Sequence, residues 1–402
     1  MKKVYLLLEN NRSSLYGIGT YATQISRLVE YCNSISFSIV RLHANVNFPI
    51  VKKHDSYMEY SIPDSNVYGV KNDSIYYRNI CFVLQRYIHR GEGVDVIFHL
   101  NYYQQYYLID YLKKWFVGCK IVFTIHYQEW CFLLNGNTDL YKKILHKEIF
   151  GYDQVWNWYL GECDLFKKVD QIICLSDYTK RMLIEEYPVN EDKISLVYNG
   201  LFDEYQFTTN EYRYAVKKKY CLPMNKKVIL FVGRLDEIKG VEFLISAFLK
   251  LQEDIDDSVL VIIGDGNYPK YLNLSRSCLG EIFYTGRLKK SDLYDFYRIA
   301  DVGIMPSMHE QCSFVAIEMM MFDIPLIIST TTGLNEMMEK ECNISVYSKD
   351  NSMVISSSEL AEKIRNTLNG YDCDKRKCRD KYLKMYTLDK MILNMKNVYM
   401  NL

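Results

Sequence analysis

The feature that most constrains the fold is a pattern of short apolar runs that alternate with stretches of helical periodicity, and the chain passes through this pattern twice. The first pass predicts strands near Lys3–Leu8, Ser36–Leu42, Val94–Leu100, Lys120–Thr124, Gln171–Leu175 and Ile194–Val197. The second pass predicts strands near Lys227–Val232, Val259–Ile263, Ile282–Thr285, Val302–Met305 and Leu326–Ser329. Strand–helix alternation is typical of parallel sheets with helices on both faces. We therefore predict two doubly wound α/β domains, which 402 residues are enough to build.

The domain boundaries are predicted from the segments that break this pattern. Residues 1–202 form the first predicted domain, a polar linker covers 203–225, and 226–382 form the second domain. The tail has apolar residues at helical spacing, which predicts a helix over about 383–402 that caps the second domain or packs back on the first. The connection from Tyr127 to Val169 is long for one strand-to-strand loop, and we interpret it as a helical candidate lid over an acceptor.

Composition excludes several classes of protein. Lys plus Arg and Asp plus Glu are both 49, so the chain lacks the excess positive charge of a nucleic-acid binder. No apolar run approaches the ~18 residues of a membrane-spanning helix, and the first run ends at Glu9, too early for a signal peptide. The 12 cysteines do not form the paired clusters of a zinc site. We expect reduced thiols and a cytoplasmic protein.

Candidate binding residues follow the strands of the second half, because doubly wound sheets bind ligands at the carboxyl ends of their strands. The first strand is followed by Gly233 and Arg234, and then by Lys239 and Gly240 just before a helix. Two cations at a helix N-terminus suit a diphosphate, although the motif by itself also fits a solvated turn. Two further glycine turns follow the next strands, and they are Gly264-Asp265-Gly266 and Gly286-Arg287-Leu288.

The segment after the fourth strand carries two carboxylates with seven residues between them. It begins with Pro306-Ser307, places Glu310 in the loop and Glu318 inside the following helix, Phe314–Met321. The spacing alone is a weak signal, and its place after a strand and after the glycine turns strengthens it. In this position Glu318 can accept both hydroxyls of a ribose, and Glu310 can accept hydroxyls of a sugar.

In this order, the motifs resemble the donor domain of the retaining GT-B glycosyltransferases, specifically glycosyltransferase family 4 of the group 1 type. The later run Thr332-Gly333-Leu334-Asn335-Glu336 resembles the Gly-Gly-x-x-Glu turn of that family. The resemblance covers about residues 225–340 and extends more loosely over the first half. It implies a GT-B fold, in which two Rossmann-like doubly wound domains face a central cleft.

The resemblance also implies roles for single residues. Glu310, His126, Arg234 and Lys239 would be the catalytic residues, with no metal. The donor site would comprise Gly17, Gly19, Gly233, Arg234, Lys239, Gly264, Gly286, Arg287, Leu288, Glu310, Cys312, Ser313, Phe314 and Glu318. One departure concerns the transferred sugar. Where the family has Glu-Gly-Phe-Gly, this chain has Glu310-Gln311-Cys312-Ser313, so the shape of the sugar pocket is left open.

The function implied is transfer of a hexose-type sugar, with retention, from a UDP- or GDP-type nucleotide sugar to an acceptor hydroxyl in glycan or glycoconjugate biosynthesis. No cofactor or metal is implied, and no Asp-x-Asp motif follows a strand in the donor half. The sequence leaves four kinds of acceptor open, and these are a glycan, a lipid-linked molecule, a small molecule and a peptide. Lys142, Lys143 and Lys147 suit either peripheral contact with the inner face of a membrane or a packed lid.

Two other functions remain open at this point. The first is another enzyme of the same architecture, such as a nucleotide-sugar epimerase; a phosphorylase would need a lysine for pyridoxal phosphate, and no feature of the sequence suggests one. The second is a non-catalytic subunit that binds a nucleotide sugar.

Overall fold

A computed structural model describes residues 1–11, 16–64, 73–88, 93–254, 257–372 and 375–402. Their contacts divide the chain into two compact units, each built from separate stretches of sequence. The first unit comprises Met1–Gln128, Gly151–Gly200 and Leu388–Leu402, and the second comprises Glu129–Phe150 and Leu201–Thr387. Residues 129–150, which the sequence assigned to the first domain, therefore group with the second unit.

The first unit contains a sheet of eight strands. The strands are β1 Lys2–Glu9, β2 Ile35–Ala44, β3 Ile50–Lys53, β4 Met58–Pro63, β5 Asp95–Leu100, β6 Lys120–Ile125, β7 Gln171–Cys174 and β8 Ile194–Leu196. Their order is β3-β4-β2-β1-β5-β6-β7-β8, and the neighbours run parallel except for β3 and β4. All six predicted strands are present. Strands β3 and β4 were not predicted, and in β3 all four residues are exposed and form no buried apolar run.

The second unit contains a sheet of six parallel strands and a separate two-stranded hairpin. The strands are β9 Lys227–Val232, β10 Ser258–Ile263, β11 Ile282–Gly286, β12 Val302–Met305, β13 Leu326–Ser329 and β14 Asn343–Ile344, and the hairpin is β15 Val346–Lys349 with β16 Ser352–Ile355. The sheet order is β11-β10-β9-β12-β13-β14. The direction of winding therefore reverses between β9 and β12, and a switch point of this kind opens a crevice at the carboxyl ends of those two strands.

Helices connect the strands of both sheets. Along the chain they are α1 Gly17–Ser26, α2 Leu28–Tyr31, α3 Asp73–Leu84, α4 Tyr106–Trp115, α5 Trp130–Leu133, α6 Thr138–Leu145, α7 Asp153–Lys168, α8 Asp177–Glu186, α9 Asn210–Lys219, α10 Val241–Asp254, α11 Tyr268–Leu274, α12 Lys290–Ile299, α13 Phe314–Met321, α14 Ser357–Leu368, α15 Lys375–Met385 and α16 Leu388–Met400. None of the helices in the described ranges is long and apolar enough to span a membrane.

The predicted linker 203–225 contains a helix that is fixed to the second unit. In helix α9, Arg213 lies 2.7 Å from the carboxylate of Asp301, and Lys219 lies 2.9 Å from that of Asp295. The polar composition that indicated a linker therefore belongs to a solvated helix that packs on α12 through ion pairs.

Most of the predicted C-terminal helix, about 383–402, is helix α16. Helix α15 packs on α13 and belongs to the second unit, whereas α16 belongs to the first unit. In the first unit, the Tyr399 hydroxyl lies 2.5 Å from Nδ1 of the buried His99. Of the two placements that the sequence left open, α16 takes the one in the first unit, and α15 begins at Lys375, before the predicted tail.

The cysteines agree with the expected reduced thiols with one exception. Among the described residues, ten cysteines carry thiols, and most of these are buried. Cys342 is disulfide-bonded. The prediction that every cysteine is a thiol is therefore wrong for Cys342, because spacing in the sequence carries little information on which side chains meet.

Candidate active site

The turn after β9 forms one wall of the site in the second unit. The Leu235 amide donates a hydrogen bond to the carbonyl oxygen of Asp265 at 2.8 Å, and a short 3-10 turn covers Glu237–Lys239. Gly240 ends that turn with φ +64°, and a Cβ there would lie 2.0 Å from the carbonyl oxygen of Pro306. Only glycine fits this close approach, which brings the turn against the loop after β12.

Two other glycine turns lie against the same backbone. Gly264 has φ +145°, and a Cβ on it would lie 1.7 Å from the carbonyl oxygen of Gly233. The Gly264 amide also donates to the carbonyl oxygen of Gly286 at 3.0 Å. Gly233, Gly264 and Gly286 are thus brought together at the carboxyl edge of the sheet. Arg287 and Leu288 follow at the start of the connection to α12, with the Arg287 side chain exposed.

The loop after β12 is tied down from two sides. The Met308 amide donates to the carbonyl oxygen of Ile238 at 2.7 Å, which joins the loop to the turn after β9. On the other side, the Glu310 amide donates to Oγ1 of Thr332 at 3.0 Å, and the Gly333 amide donates to the carbonyl oxygen of Glu310 at 2.9 Å. The turn at Thr332–Gly333 that the sequence analysis singled out therefore supports the backbone of Glu310.

Two ion pairs dominate the electrostatics of this edge. The Lys239 ammonium forms a close ion pair with Glu310, and the Ser307 hydroxyl donates to the same carboxylate at 3.2 Å. Arg234 lies 3.2 Å from the carboxylate of Asp236. Burial raises the pKa of Asp236, and the nearby Arg234 and Lys239 oppose that rise. Both cations predicted to bind a diphosphate are thus held in place by carboxylates.

Helix α13 carries the second carboxylate of the predicted pair. Ser313 caps the helix by accepting a hydrogen bond from the Ala316 amide at 3.4 Å. The Glu318 carboxylate accepts a hydrogen bond from the Tyr297 hydroxyl at 2.7 Å, and burial raises the pKa of Glu318 to about 7. Cys312 is buried, and Phe314 is only partly exposed. Tyr297 was not found from the sequence, because nothing in a helical pattern marks which tyrosine reaches a carboxylate on another helix.

A second residue that sequence reasoning missed is His309, beside Glu310. Its side chain is buried, and neither ring nitrogen has a hydrogen-bond partner in the described part of the chain. Burial lowers the pKa of His309 to about 4, so the ring is neutral at pH 7. Its ring packs against Trp130 in a T-shaped arrangement, with the ring centres 5.5 Å apart and the planes at 77°.

The candidate residues of the first unit lie at the carboxyl ends of β1 and β6. Gly17 and Gly19 open helix α1, and residues 12–15 before them are outside the described ranges. A Cβ on Gly17 would meet nothing within 4 Å, so the fold itself does not require glycine there. A requirement for Gly17 would therefore have to come from a ligand.

His126 follows β6 and is held by an asparagine. The Nδ2 group of Asn101 donates to the carbonyl oxygens of Leu7 and His99, at 3.1 and 3.3 Å, which leaves Oδ1 as the acceptor. The His126 Nε2 lies 2.9 Å from that oxygen and therefore carries the proton. Burial lowers the pKa of His126 to about 3. The ring is a neutral group whose Nδ1 can accept a hydrogen bond.

Asn101 is itself a residue that a simple rule would have found, because it directly follows the predicted strand Val94–Leu100. No cluster of three or more potential metal ligands occurs in the ranges that the structure describes.

Comparison with known proteins agrees with this architecture. The glycosyl transferases group 1 family matches residues 213–382, and glycosyltransferase family 4 matches residues 53–204. Each unit is built on a largely parallel sheet, and the similar solved structures are GT-B proteins with two Rossmann-like domains. The chain belongs to the group 1 glycosyltransferases of that fold.

Similar proteins occur in archaea and bacteria. The uncharacterized glycosyltransferase MJ1607 of Methanocaldococcus jannaschii is 33% identical over 187 residues, which are 45% of this chain and 47% of that protein, so the match spans about half of the relative. The uncharacterized glycosyltransferase MJ1178 of the same organism is 25% identical over 391 residues, 95% of this chain and 94% of the relative. The crystal structure of Anabaena HepE in complex with UDP and glucose superposes with a TM-score of 0.72 at 13% identity, and covers all of both chains.

Proposed function

We propose that this chain is a retaining, metal-independent glycosyltransferase that moves a hexose-type sugar from a nucleotide diphosphate sugar to an acceptor hydroxyl. The observation that carries the proposal is the convergence of three glycine turns, Lys239 and Glu310 at one switch point of the second sheet. UDP is the favoured nucleotide, because HepE was solved with UDP and with UDP-glucose. No further cofactor takes part.

The two cations would bind the diphosphate by exchanging partners. Lys239 is paired with Glu310 and Arg234 with Asp236, so a diphosphate that approaches these cations replaces carboxylates as their counter-ions. The released Glu310 carboxylate can then accept hydroxyl hydrogen bonds from the transferred sugar. During the reaction, the cations offset the negative charge that develops on the leaving phosphate, which is the electrostatic role a metal ion plays elsewhere.

The remaining side chains would hold the donor at its two ends. Glu318 accepts the hydroxyls of the ribose while the Tyr297 hydroxyl continues to orient it. In the first unit, Nδ1 of the neutral His126 accepts a hydrogen bond from a sugar hydroxyl.

The reaction breaks the bond from the anomeric carbon to the phosphate oxygen and forms a bond from the same carbon to the acceptor oxygen. With retention by same-face attack, the acceptor proton passes to the leaving phosphate, and no protein nucleophile is needed.

The acceptor belongs to glycan or glycoconjugate biosynthesis in this proposal. A lipid-linked acceptor at the inner face of a membrane is supported by the exposed apolar side chains of Phe132, Leu133 and Phe150, close to Lys143 and Lys147. A non-catalytic subunit that binds the nucleotide sugar remains the second candidate, and it would bind donor without transfer or hydrolysis.

The test is a thermal unfolding screen in EDTA against UDP, GDP, ADP and their common sugars. At 100 times its Kd, a ligand stabilises the folded state by about 2.7 kcal/mol, which raises the midpoint of a domain this size by roughly 5–10 °C. Lys239→Met should remove most of this rise. Lys226→Met is the matched control, because Lys226 is similarly buried and lies 2.6 Å from Glu281 at the opposite end of β9. A protein that no nucleotide stabilises would refute the proposal.

Donor hydrolysis then separates an enzyme from a binding subunit. Wild-type protein should release the free sugar slowly from the stabilising nucleotide sugar, and Glu310→Gln should not. A wild-type protein that binds the donor and never hydrolyses or transfers it would favour the binding subunit.

A further inference from the structure

The segment Glu129–Phe150, here called the crossing segment, lies between β6 and β7 of the first unit in sequence but belongs to the second unit. It consists of the short helices α5 and α6 and the turn between them. Trp130 is only 1% exposed and stacks face to face on Tyr141, with ring centres 4.2 Å apart. The crossing segment is therefore a packed part of the second unit and not a solvated loop.

Asn137 anchors the crossing segment to the hairpin of β15 and β16. Its Nδ2 group donates to the Ser348 hydroxyl at 3.2 Å and to the carbonyl oxygen of Asn351 at 3.1 Å. Its Oδ1 accepts from the Leu140 amide at 3.0 Å, which caps helix α6. Because Asn137 is itself buried, these hydrogen bonds hold the segment at a defined position on the unit.

The same segment touches the loop that carries Glu310. Gly136 has φ +75°, and a Cβ there would lie 2.2 Å from the carbonyl oxygen of Met308 and 3.1 Å from Cβ of His309. Trp130 packs against the His309 ring in a T-shaped arrangement. Since neither nitrogen of this ring has a protein partner in the described ranges, the contact with Trp130 is one of shape and packing. The crossing segment thus contacts Met308 and His309, the two residues that precede Glu310.

Met308 also forms hydrogen bonds to the turn after β9 and to the segment after β13, on the other side of the site. The Met308 amide donates to Ile238 in the turn that ends at Lys239, and the Met308 carbonyl oxygen accepts from the Thr331 hydroxyl. A displacement of this loop would therefore move Glu310 and Lys239 together. Interactions of this kind decide whether reacting groups meet in the productive geometry.

We infer that Trp130 and Gly136 are positioning residues of the donor site: they hold the loop after β12 so that Glu310 faces the transferred sugar. The inference rests on the proposed function, since it assigns to these residues the support of Glu310 and Lys239. These two residues lie 180 and 174 positions before Glu310 in the sequence, and they would support the site of sugar transfer.

The experiment compares two glycine substitutions of equal backbone strain. Gly136→Ala introduces a Cβ against the Met308 carbonyl, whereas Gly151→Ala, at φ +88°, introduces a Cβ that meets nothing within 4 Å. The donor probe is whichever of UDP-glucose, UDP-galactose and GDP-mannose stabilises the wild type most in the melting screen. The measurements are the affinity for the probe and for its free nucleotide, and the rate of probe hydrolysis.

We expect Gly136→Ala to hydrolyse the bound probe about 10–100 times more slowly than wild type, the range expected for misplacing a reacting group by about 1 Å. The affinity for the free nucleotide should change less than threefold if Glu318 and the glycine turns still hold it. Gly151→Ala should match the wild type in both measurements. Trp130→Phe, which keeps an aromatic ring against His309, should retain most of the hydrolysis rate, and Trp130→Leu should lose it as Gly136→Ala does.

The outcomes separate the two proposals. If the wild type binds and hydrolyses a probe, and Gly136→Ala and Trp130→Leu do so at the wild-type rate, the positioning role is refuted while the proposed function stands. Equal losses in Gly136→Ala and Gly151→Ala would also refute it, because backbone strain alone would then explain the effect. If the wild type binds none of the three probes, the proposed function fails and the positioning role fails with it.

Discussion

At the scale of single residues, the candidate site is a set of charged groups that each have a partner within the protein. Glu310 holds Lys239, Asp236 holds Arg234, and Tyr297 donates to the carboxylate on α13. A buried charge without a partner lowers the stability of the folded state, and these pairs prevent that loss. The sequence predicted the candidate residues, but it did not predict these pairs.

The raised pKa of Glu318 makes a prediction about stability. Burial raises this pKa from 4.5 to about 7, so between those values the folded state keeps a proton that the unfolded chain has lost. The free energy of unfolding therefore falls as the pH rises through this window. Above pH 7 the whole of this loss of stability is present. Glu318→Gln removes the ionisation. We expect the free energy of unfolding of this variant, relative to that of wild type, to be higher at pH 8 than at pH 5.

Urea unfolding of both proteins at pH 5 and pH 8 measures this difference. Glu339→Gln, which removes an exposed carboxylate from the same unit, is the control and should show no comparable gain at pH 8. Parallel pH dependence in wild type and Glu318→Gln would show that the carboxyl group is not buried in the way the structure describes.

At the scale of elements, the site is built from the short turns at the carboxyl ends of strands. Gly264 and Gly240 both have positive φ, and each approaches another turn so closely that a side chain would collide with a backbone carbonyl. Glycine at strand ends was recognised in the sequence as a sign of ligand contact. The structure adds a second reason for these glycines, because they also let the turns pack directly against one another.

Gly264→Ala tests this structural requirement. The added Cβ would lie 1.7 Å from the carbonyl oxygen of Gly233, and φ +145° is strained for any residue with a side chain. We expect a loss of at least about 2 kcal/mol in the free energy of unfolding, measured from urea midpoints. Gly280→Ala is the control, because its Cβ would meet nothing within 4 Å and its φ is not in the strained range. Similar midpoints for the two variants would contradict the described packing.

At the scale of the whole molecule, each compact unit is assembled from stretches that are distant in the chain. The last helix, α16, lies in the first unit, where Tyr399 contacts His99. His99, in turn, lies 2.6 Å from the hydroxyl of Thr124 on strand β6, just before His126. The end of the chain thus supports the strand that presents a candidate site residue.

Three histidines with lowered pKa values predict how the whole protein responds to acid. Burial lowers the pKa of His99 and of His126 to about 3 and that of His309 to about 4, from 6.5. Below pH 6.5 the unfolded chain therefore binds protons that the folded chain excludes, and each ring lowers the free energy of unfolding by up to about 1.4 kcal/mol per pH unit. The raised pKa values of Glu318, Glu129 and Asp236 act in the opposite direction and offset part of this fall.

We expect the midpoint of thermal unfolding to fall steadily from pH 7 to pH 5. His309→Gln should reduce this fall, since its ring nitrogens have no partner among the described residues to lose. His146→Gln, which changes an exposed histidine, should leave the fall unchanged. A midpoint that does not depend on pH in this range would contradict the lowered pKa values of the three rings.

The sequence alone determined the class of fold and the order of the candidate motifs, because both are local properties. Buried strands appear as short apolar runs, and turns at strand ends require glycine, so β1, β2 and β5 to β13 and the turns after β9, β10 and β11 were predicted close to where they lie. The positions of Glu310 and Glu318 were found for the same reason, since each is defined by its distance from a strand or a helix start.

The tertiary structure decided which distant segments meet. The placement of the crossing segment in the second unit, the contact of Trp130 with His309, the hydrogen bond from Tyr297 and the placement of α16 in the first unit depend on packing between residues far apart in the chain. A hydrophobic or aromatic residue carries the same local pattern whichever neighbour it packs against. Which neighbour it packs against therefore depends on how the whole chain folds to bury its apolar surface.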